Sequence, residues 1–269
     1  LFAVGCDKGF VCLLTFPGLE RVAKRLCKRP AARGQRGSSV DPERIALLKF
    51  SPALRPDGQR YLAAGSWDQN VYLLKTSQEK RAREAPAVDV QVCRVLGGNS
   101  SSPTQMMFSA DGQFLISNSR DAQILIWKVS SGERLHSLSV TRDLSWTQWT
   151  CVLGWPVAGV WRPEYDLTDI NAVCQSSPEG PGGEHFIAVG DDLSTVLLYR
   201  FPSPCAGAAG LVYTGHASHV TSVRFDADNT LVSLGGGDHT LQQWRLVADA
   251  PPRGGAPPTR PRPSSAARR

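Results

Sequence analysis

The chain has 269 residues, a formal net charge of +6 and 41% hydrophobic residues, a composition typical of a folded protein of one or two domains. The chain does not start with a cationic segment followed by an apolar one, the pattern of a signal peptide. Its longest apolar run, near residues 152–161, is about half as long as a membrane span. We therefore expect neither a signal peptide nor a membrane-spanning helix in these residues. The seven cysteines are never spaced C-x-x-C, which favours reduced thiols in the cytosol over zinc ligands or a disulfide framework.

The positive charge is concentrated in two segments. Residues 21–37 contain seven lysines and arginines and no acid, and residues 248–269 contain five arginines and one aspartate. The rest of the chain is mildly acidic. We predict a basic insertion at residues 19–41 and a disordered, Pro/Arg-rich tail at residues 248–269.

A repeated unit runs through residues 1–247. Each unit is a short β-rich segment, a turn such as SADGQ or DADNT, a second strand, a turn that carries an aspartate, and a third strand. The segment between the third and fourth units is predicted to be a connector at residues 141–166. In chain order the units lie near residues 1–18, 43–77, 103–139, 168–203 and 213–247.

The spacing of these units predicts the fold class. Once the insertion and the connector are discounted, the aspartates of successive turns (positions 7, 68, 121, 192 and 238) are 38, 53, 45 and 46 residues apart, close to the roughly 40 to 45 residues of a four-stranded propeller blade. The sequence therefore predicts an all-β, incomplete WD-repeat β-propeller with about four to five blades of a larger ring. Because the chain opens on Leu1 within a strand pattern, we expect it to be a piece of a longer protein.

Particular side chains are expected to hold each blade together. Asp121 and Trp127 are six residues apart, as are Asp238 and Trp244. In full WD repeats, a Gly-His pair before the first strand and a Ser or Thr on the second strand complete a buried hydrogen-bonded set. Because Leu234 stands four residues before Asp238, we predict that no blade has the complete set. The predicted structural residues are Asp68, Ser117, Asp121, Trp127, Asp192, His216, Asp238 and Trp244.

Enzyme chemistry is not expected. The sequence has no glycine-rich phosphate loop, no G-x-S-x-G motif and no His/Cys set at metal spacing, so we predict no catalytic, metal-binding or cofactor-binding residues and no cofactor. His216, in its Gly-His context, is interpreted as a structural hydrogen-bonding residue. The four tryptophans at positions 146, 149, 155 and 161 are predicted to be core rather than an exposed peptide-binding patch.

The connector carries a more specific signal. The segment RDLSWTQWTCVLGWPVAGVW (residues 142–161), followed by TDINAV (168–173), resembles the connecting segment in the C-terminal propeller of the echinoderm microtubule-associated protein-like (EMAP-like) family. The resemblance continues through IAVGDDLSTVLLYRFP, YTGHASHVTSVRF and GGGDHTLQQWRLV. It implies a non-catalytic WD-repeat protein that binds tubulin or microtubules, located in the cytoplasm on the cytoskeleton, where it organises or modulates microtubules.

The partner surface is predicted from charge. Cations in the basic insertion are expected to contact the acidic surface of a microtubule, and the alternative is a solvated loop. Other proteins are expected to bind the propeller faces, whereas nucleic acid and membranes are not expected partners. The alternative function is a general WD-repeat scaffold in a ciliary, ubiquitin-ligase or RNA-processing assembly. The candidate partner-binding residues are Arg25, Lys28, Arg29, Arg33 and Arg36.

Overall fold

The computed structural model describes residues 1–28, 43–52, 60–79, 87–137, 139, 142–177 and 184–246. Within them the regular structure is almost entirely β, with a 3₁₀ helix at Trp155–Val160 in the connector. The strands in chain order are β1 (Phe2–Gly5), β2 (Phe10–Leu14), β3 (Arg21–Leu26), β4 (Ile45–Phe50), β5 (Arg60–Ser66), β6 (Val71–Glu79), β7 (Ala87–Leu96), β8 (Pro103–Phe108), β9 (Phe114–Ser119), β10 (Ile124–Lys128), β11 (Arg134–Leu135), β12 (Ile170–Gln175), β13 (Phe186–Asp191), β14 (Thr195–Arg200), β15 (Leu211–Thr214), β16 (Val220–Phe225), β17 (Thr230–Gly235) and β18 (Leu241–Arg245).

The described residues form five sheets, and within each sheet the strands that are consecutive in the chain pair in antiparallel fashion. The second, third and fourth sheets have four strands each, β4–β7, β8–β11 and β12–β15. The first and fifth have three, β1–β3 and β16–β18. Each sheet is thus built from one continuous stretch of chain, and the predicted all-β class is confirmed.

The turns follow from local sequence. Between the first two strands of the third and fifth sheets, Gly112 and Asn229 take positive φ angles of 68° and 57°. These are residue types that adopt this conformation at low cost. The preceding Asp111 and Asp226 each accept the amide of the residue two positions on, at 3.0 Å. The resulting Asx turns reverse the chain between β8 and β9 and between β16 and β17.

Four hydrophobic clusters fill the four junctions between neighbouring sheets. Because a middle sheet packs against a neighbour on each side, its second strand is buried on both faces, as in β5, β9 and β13. The first strands contact one another in order, β4 with β8 and β12 with β16. Gln105 Nε2 on β8 donates to the Asn171 carbonyl on β12 at 3.4 Å. The first strands therefore lie along the axis, and the sheets form an open arc, which confirms the incomplete β-propeller.

The structure corrects three predicted boundaries. The predicted second unit, 43–77, ends before strand β7, which pairs with β6 and completes the second sheet. The predicted insertion at residues 19–41 begins with strand β3, which pairs with β2 and completes the first sheet. The predicted last unit, 213–247, begins inside β15, which pairs with β14 of the preceding sheet. All three are outermost strands, and β3 and β15 have largely exposed side chains, so these two lack the apolar alternation that marks an inner strand. Residues 29–42 and the predicted tail, 248–269, lie outside the described residues.

The connector tryptophans are mostly part of the core. Trp149 is fully buried, and Trp146 packs edge-to-face on it with ring centroids 5.8 Å apart. Trp161 is partly buried against the same cluster and donates its indole N–H to the Val152 carbonyl at 3.0 Å. Trp155 is the exception, since 43% of its surface is exposed.

Candidate functional site

A directional chain of hydrogen bonds runs through the fifth sheet. Trp244 on β18 donates its indole N–H to Ser233 Oγ on β17 at 2.8 Å. Ser233 Oγ lies 2.7 Å from His216 Nε2, and His216 Nδ1 lies 3.2 Å from Asp238 Oδ2 and 3.0 Å from Thr240 Oγ1. Because the indole only donates and a carboxylate only accepts, an imidazole that donates from Nδ1 and accepts at Nε2 satisfies every group.

This arrangement overturns the prediction that no blade has the complete set. The serine is Ser233, five residues before Asp238, rather than the position occupied by Leu234. In the fifth sheet, the turn is closed by a hydrogen bond from the Gly235 amide to the Thr240 carbonyl. In the third sheet, the corresponding bond runs from the Ser119 amide to the Gln123 carbonyl, so the turn of the fifth sheet is one residue longer. The run of three glycines at positions 235–237 was the sequence signal for this extra residue.

The order Asp238, His216, Ser233 has the connectivity of a hydrolase triad, but its surroundings prevent that chemistry. Ser233 is fully buried, so no substrate carbonyl can approach its oxygen. The same oxygen already accepts the indole N–H of Trp244. The set therefore fixes the turn and the third strand of the sheet rather than activating a nucleophile.

Backbone amides hold Asp238 as a carboxylate. The Thr240 amide donates to its Oδ1 at 3.1 Å, and the Ala217 amide donates to its Oδ2 at 2.9 Å. These bonds, the Thr240 amide foremost, lower the pKa of Asp238 to about 2. The loop before β16 and the turn before β18 are thereby joined through one side chain.

A residue with positive φ marks the same point in the turns between the second and third strands of the second to fifth sheets, and in the turn between β1 and β2 of the first sheet. Asp68, Asp121 and Asp238 each come directly before that residue, whereas in the fourth sheet the position belongs to Leu193. Asp192 is one position earlier, so its assignment as the turn aspartate is corrected. The residues with positive φ are Gly9, Gln69, Ala122, Ser194 and His239.

In the fourth sheet, the turn is held by the last residue of β13. Asp191 is fully buried, and its Oδ1 accepts the amides of Leu193 at 3.1 Å and Thr195 at 2.8 Å. Its Oδ2 accepts the hydroxyl of Tyr165 from the connector at 2.7 Å. Asp192 bonds instead to the side-chain amide of Asn171 at 2.7 Å. The sequence pattern singled out the wrong aspartate of an adjacent pair.

The third sheet has a looser version of the set. Ser117 is buried, but its Oγ lies 3.5 Å from Asn99 Oδ1, at the limit of a hydrogen bond. Asp121 accepts the hydroxyls of Ser100 and Ser119, which lower its pKa, Ser100 foremost. Trp127 is almost fully buried in the cluster between the second and third sheets.

The second sheet uses Asp68 differently. Asp68 Oδ1 accepts the Asn70 amide at 3.1 Å, and its Oδ2 accepts the hydroxyl of Tyr72. Tyr72, from the third strand of the same sheet, thus takes the place that His216 has beside Asp238 in the fifth sheet. The three sheets thus keep a carboxylate at one turn position while the donors around it change.

The basic residues lie on the outermost strand of the first sheet. Arg25 on β3 and Lys28 just after it are exposed. Lys24 Nζ lies 4.0 Å from the centroid of the Phe10 ring, a cation–π contact that covers part of β2. The other candidates, Arg29, Arg33 and Arg36, lie outside the described residues.

Two further findings bear on the kind of site. Among the residues that the structure describes, no group of three His, Cys, Asp or Glu side chains is placed to hold a metal ion. In the same part of the chain, no helix has the length and apolar character needed to cross a membrane.

The repeated antiparallel sheets around an axis, with the Trp-Ser-His-Asp set in one of them, define a WD-repeat β-propeller. The family model described as "Echinoderm microtubule-associated protein second beta-propeller" matches residues 1–246. The chain therefore belongs to the echinoderm microtubule-associated protein family, and it corresponds to the second propeller.

Curated relatives agree with this assignment. Echinoderm microtubule-associated protein-like 3 of Homo sapiens is 40% identical over 226 residues, which is 82% of this chain and 23% of the relative. Echinoderm microtubule-associated protein-like 1 of Rattus norvegicus is 37% identical over 76% of this chain and 23% of its own length. Echinoderm microtubule-associated protein-like 4 of Xenopus laevis is 37% identical over 76% of this chain and 20% of its own length. The chain spans less than a quarter of the length of these relatives.

A solved structure supports the fold alone. A chain of a structure described as "Crystal Structure of Mitotic Checkpoint Complex" superposes with a TM-score of 0.54 over 91% of this chain and 73% of that chain. The sequences are 14% identical, so the likeness concerns the arrangement of the sheets.

Proposed function

We propose that this protein is a non-catalytic, microtubule- and tubulin-binding WD-repeat protein of the cytoplasmic cytoskeleton, where it organises or modulates microtubules. The observation that carries the proposal is membership, over residues 1–246, in a family whose name is microtubule-associated. The buried position of Ser233 within its hydrogen-bonded set supports a structural rather than a catalytic use of those residues.

The exposed face of β3 is the proposed contact surface. Arg21 and Arg25 on this strand are both exposed, and the exposed Lys28 follows just after the strand ends. Among the described residues, no carboxylate lies within salt-bridge distance of these three cations. Unpaired surface cations attract an acidic partner over about 10 Å at 0.1 M salt. An acidic surface of tubulin is therefore the proposed partner of this strand, and other proteins are proposed to bind the propeller faces.

Microtubule co-sedimentation tests the proposal. The full chain is incubated with taxane-stabilised microtubules at low and moderate salt, beside a variant that carries Arg25→Glu and Lys28→Glu. The matched control reverses two exposed cations on other sheets, Lys128→Glu and Arg245→Glu. We expect pelleting that weakens with salt and that the β3 reversal reduces far more than the control does.

The outcomes separate three readings. Equal losses from both pairs of substitutions would mean that net charge, and not β3, determines binding. Pelleting insensitive to both would place the contact on another face. No pelleting by a chain with an intact circular-dichroism spectrum would count against microtubule binding and favour the general WD-repeat scaffold.

A further inference from the structure

Two cations on separate strands lie at one level near the axis of the arc. Lys49 on β4 and Arg224 on β16 each stand two residues before a side-chain oxygen that accepts a backbone amide of the following strand. The accepting residues are Ser51, which takes the Tyr61 amide at 3.1 Å, and Asp226, which takes the Thr230 amide at 2.8 Å. Both cations therefore have the same register within their sheets.

Met107 and Cys174 occupy the same register on β8 and β12. They precede Ser109 and Ser176 by two positions, and those hydroxyls accept the amides of the next strands, each at 2.9 Å. Met107 and Cys174 are both buried. Since the first strands lie along the axis, these four positions form one layer, with two cations and two apolar side chains.

Electrostatic effects within this layer agree with that placement. The pKa of Lys49 is lowered, first by burial and then by the charge of Arg224. Burial raises the pKa of Cys174, and it raises that of the connector's Cys151 to about 12, so both thiols stay neutral near pH 7. Neither thiol therefore neutralises Lys49.

The layer lacks a counterion among the residues that the structure describes. No described carboxylate lies within salt-bridge distance of Lys49 or Arg224. Arg224 donates one guanidinium N–H to the carbonyl of Val223 at 2.7 Å, which leaves its other donors for a ligand. Lys49 is partly buried, whereas Arg224 is exposed. A partly buried ammonium without a partner is unfavourable, so an anion that contacts Lys49 and is also held by Arg224 would be stabilised.

We propose that this layer, formed by Lys49 and Arg224 beside Met107 and Cys174, is an oxyanion-binding site that takes a carboxylate or a phosphate group. The guanidinium offers paired N–H donors to two oxygens of such a group, and the ammonium supplies a point charge. The site lies near the axis and is separate from the exposed cations of β3, so it does not depend on the microtubule contact proposed above.

Calorimetric titration of the full chain with two probes tests the site. The probes are inorganic phosphate and a hexaglutamate peptide, each added in a dilute chloride buffer. We expect binding of at least one probe and a loss of about tenfold or more in affinity in Lys49→Met and in Arg224→Gln, because each change removes one charged partner. Lys128→Gln, which removes an exposed cation from β10, should bind as the native chain does. Phosphate binding alone would identify a small anion as the ligand source, and peptide binding alone an acidic segment.

Thermal unfolding keeps the test informative if a variant is destabilised. A bound anion should raise the melting temperature of the native chain and of Lys128→Gln but not that of Lys49→Met. Without added probe, Lys49→Met should melt at or above the native temperature, because an unpaired, partly buried ammonium is replaced by an apolar side chain of similar length. The proposal is overturned if neither probe binds the native chain, or if Lys49→Met binds and responds to the probes as the native chain does.

Discussion

Replacing Ser233 with alanine should destabilise the fifth sheet strongly for a change of one oxygen atom. Ser233 Oγ lies 2.7 Å from His216 Nε2 and accepts the Trp244 indole N–H at 2.8 Å. Each hydrogen bond contributes about 1 kcal/mol net, and a buried group left without a partner costs about 1–3 kcal/mol. The His216 side chain is fully buried and Trp244 is partly exposed, so the two losses are unequal. We expect a decrease of about 3 kcal/mol in the free energy of unfolding.

Urea unfolding followed by tryptophan fluorescence and circular dichroism measures this value. Native and variant chains should show equal slopes, so that the midpoint shift reports stability alone. Ser218→Ala is the matched control, because Ser218 Oγ, in the loop before β16, contacts His219 Nδ1 and accepts the Gly237 amide, each at 3.0 Å, at exposed bonds where water can replace it. The control should change stability by no more than about 0.5 kcal/mol. A Ser233→Ala cost equal to that of the control would refute a connected set.

A double-mutant cycle isolates the coupling. Trp244→Phe removes the indole donor and leaves an aromatic ring at the end of β18. If Trp244, Ser233 and His216 act as one set, the combined cost of Ser233→Ala and Trp244→Phe should fall short of the sum of the single costs by about 1 kcal/mol. Additive costs would show that the two bonds contribute independently.

The remaining predictions concern other parts of the fold. Because the pKa of Asp238 is about 2 in the folded chain and about 3.9 unfolded, its stabilisation is present above about pH 4 and lost as the pH falls toward 2; Asp238→Asn should flatten the pH dependence of the urea midpoint in that window. Gly154→Ala should cost about 1–3 kcal/mol in urea unfolding, because the added Cβ would lie 2.4 Å from Trp149 Cζ2. Tyr165→Phe should cost about 1–3 kcal/mol in the same assay, since it removes a hydroxyl donor from the buried Asp191; a cost under about 0.5 kcal/mol would show that water or another donor replaces it.

The sequence predicted the inner part of each sheet better than its rim. Strands such as β9 and β13 are buried on both faces and bounded by turns with Asp and Gly, so pattern and turn chemistry agree. The outermost strands β3 and β15 have few buried side chains and no such pattern. Their position follows from backbone pairing with the preceding strand, which residue types do not record.

The blade residues were predicted less well because turn length was assumed to be constant. A serine four residues before the aspartate fits the third sheet, with Ser117 and Asp121, but the glycine run of the fifth sheet moves the serine to Ser233. In the fourth sheet the hydroxyl of Tyr165 comes from the connector, so Asp191 is held by a distant segment. No pattern within the turn itself distinguishes Asp191 from Asp192.

The sheets therefore fix the turn that leads into the third strand in different ways. In the second, third and fifth sheets, a carboxylate before the residue with positive φ gathers amides or hydroxyls and fixes the turn that leads into the third strand. In the fourth sheet, Leu193 holds that position and is 61% exposed, while the buried Asp191 gathers the same kind of donors from two residues back. Because a fixed turn needs only an acceptor near its amides, the position of the acceptor can move while the sheet is kept. This freedom leaves the exposed positions of the turns, such as Trp67 and Leu193, available to differ between blades.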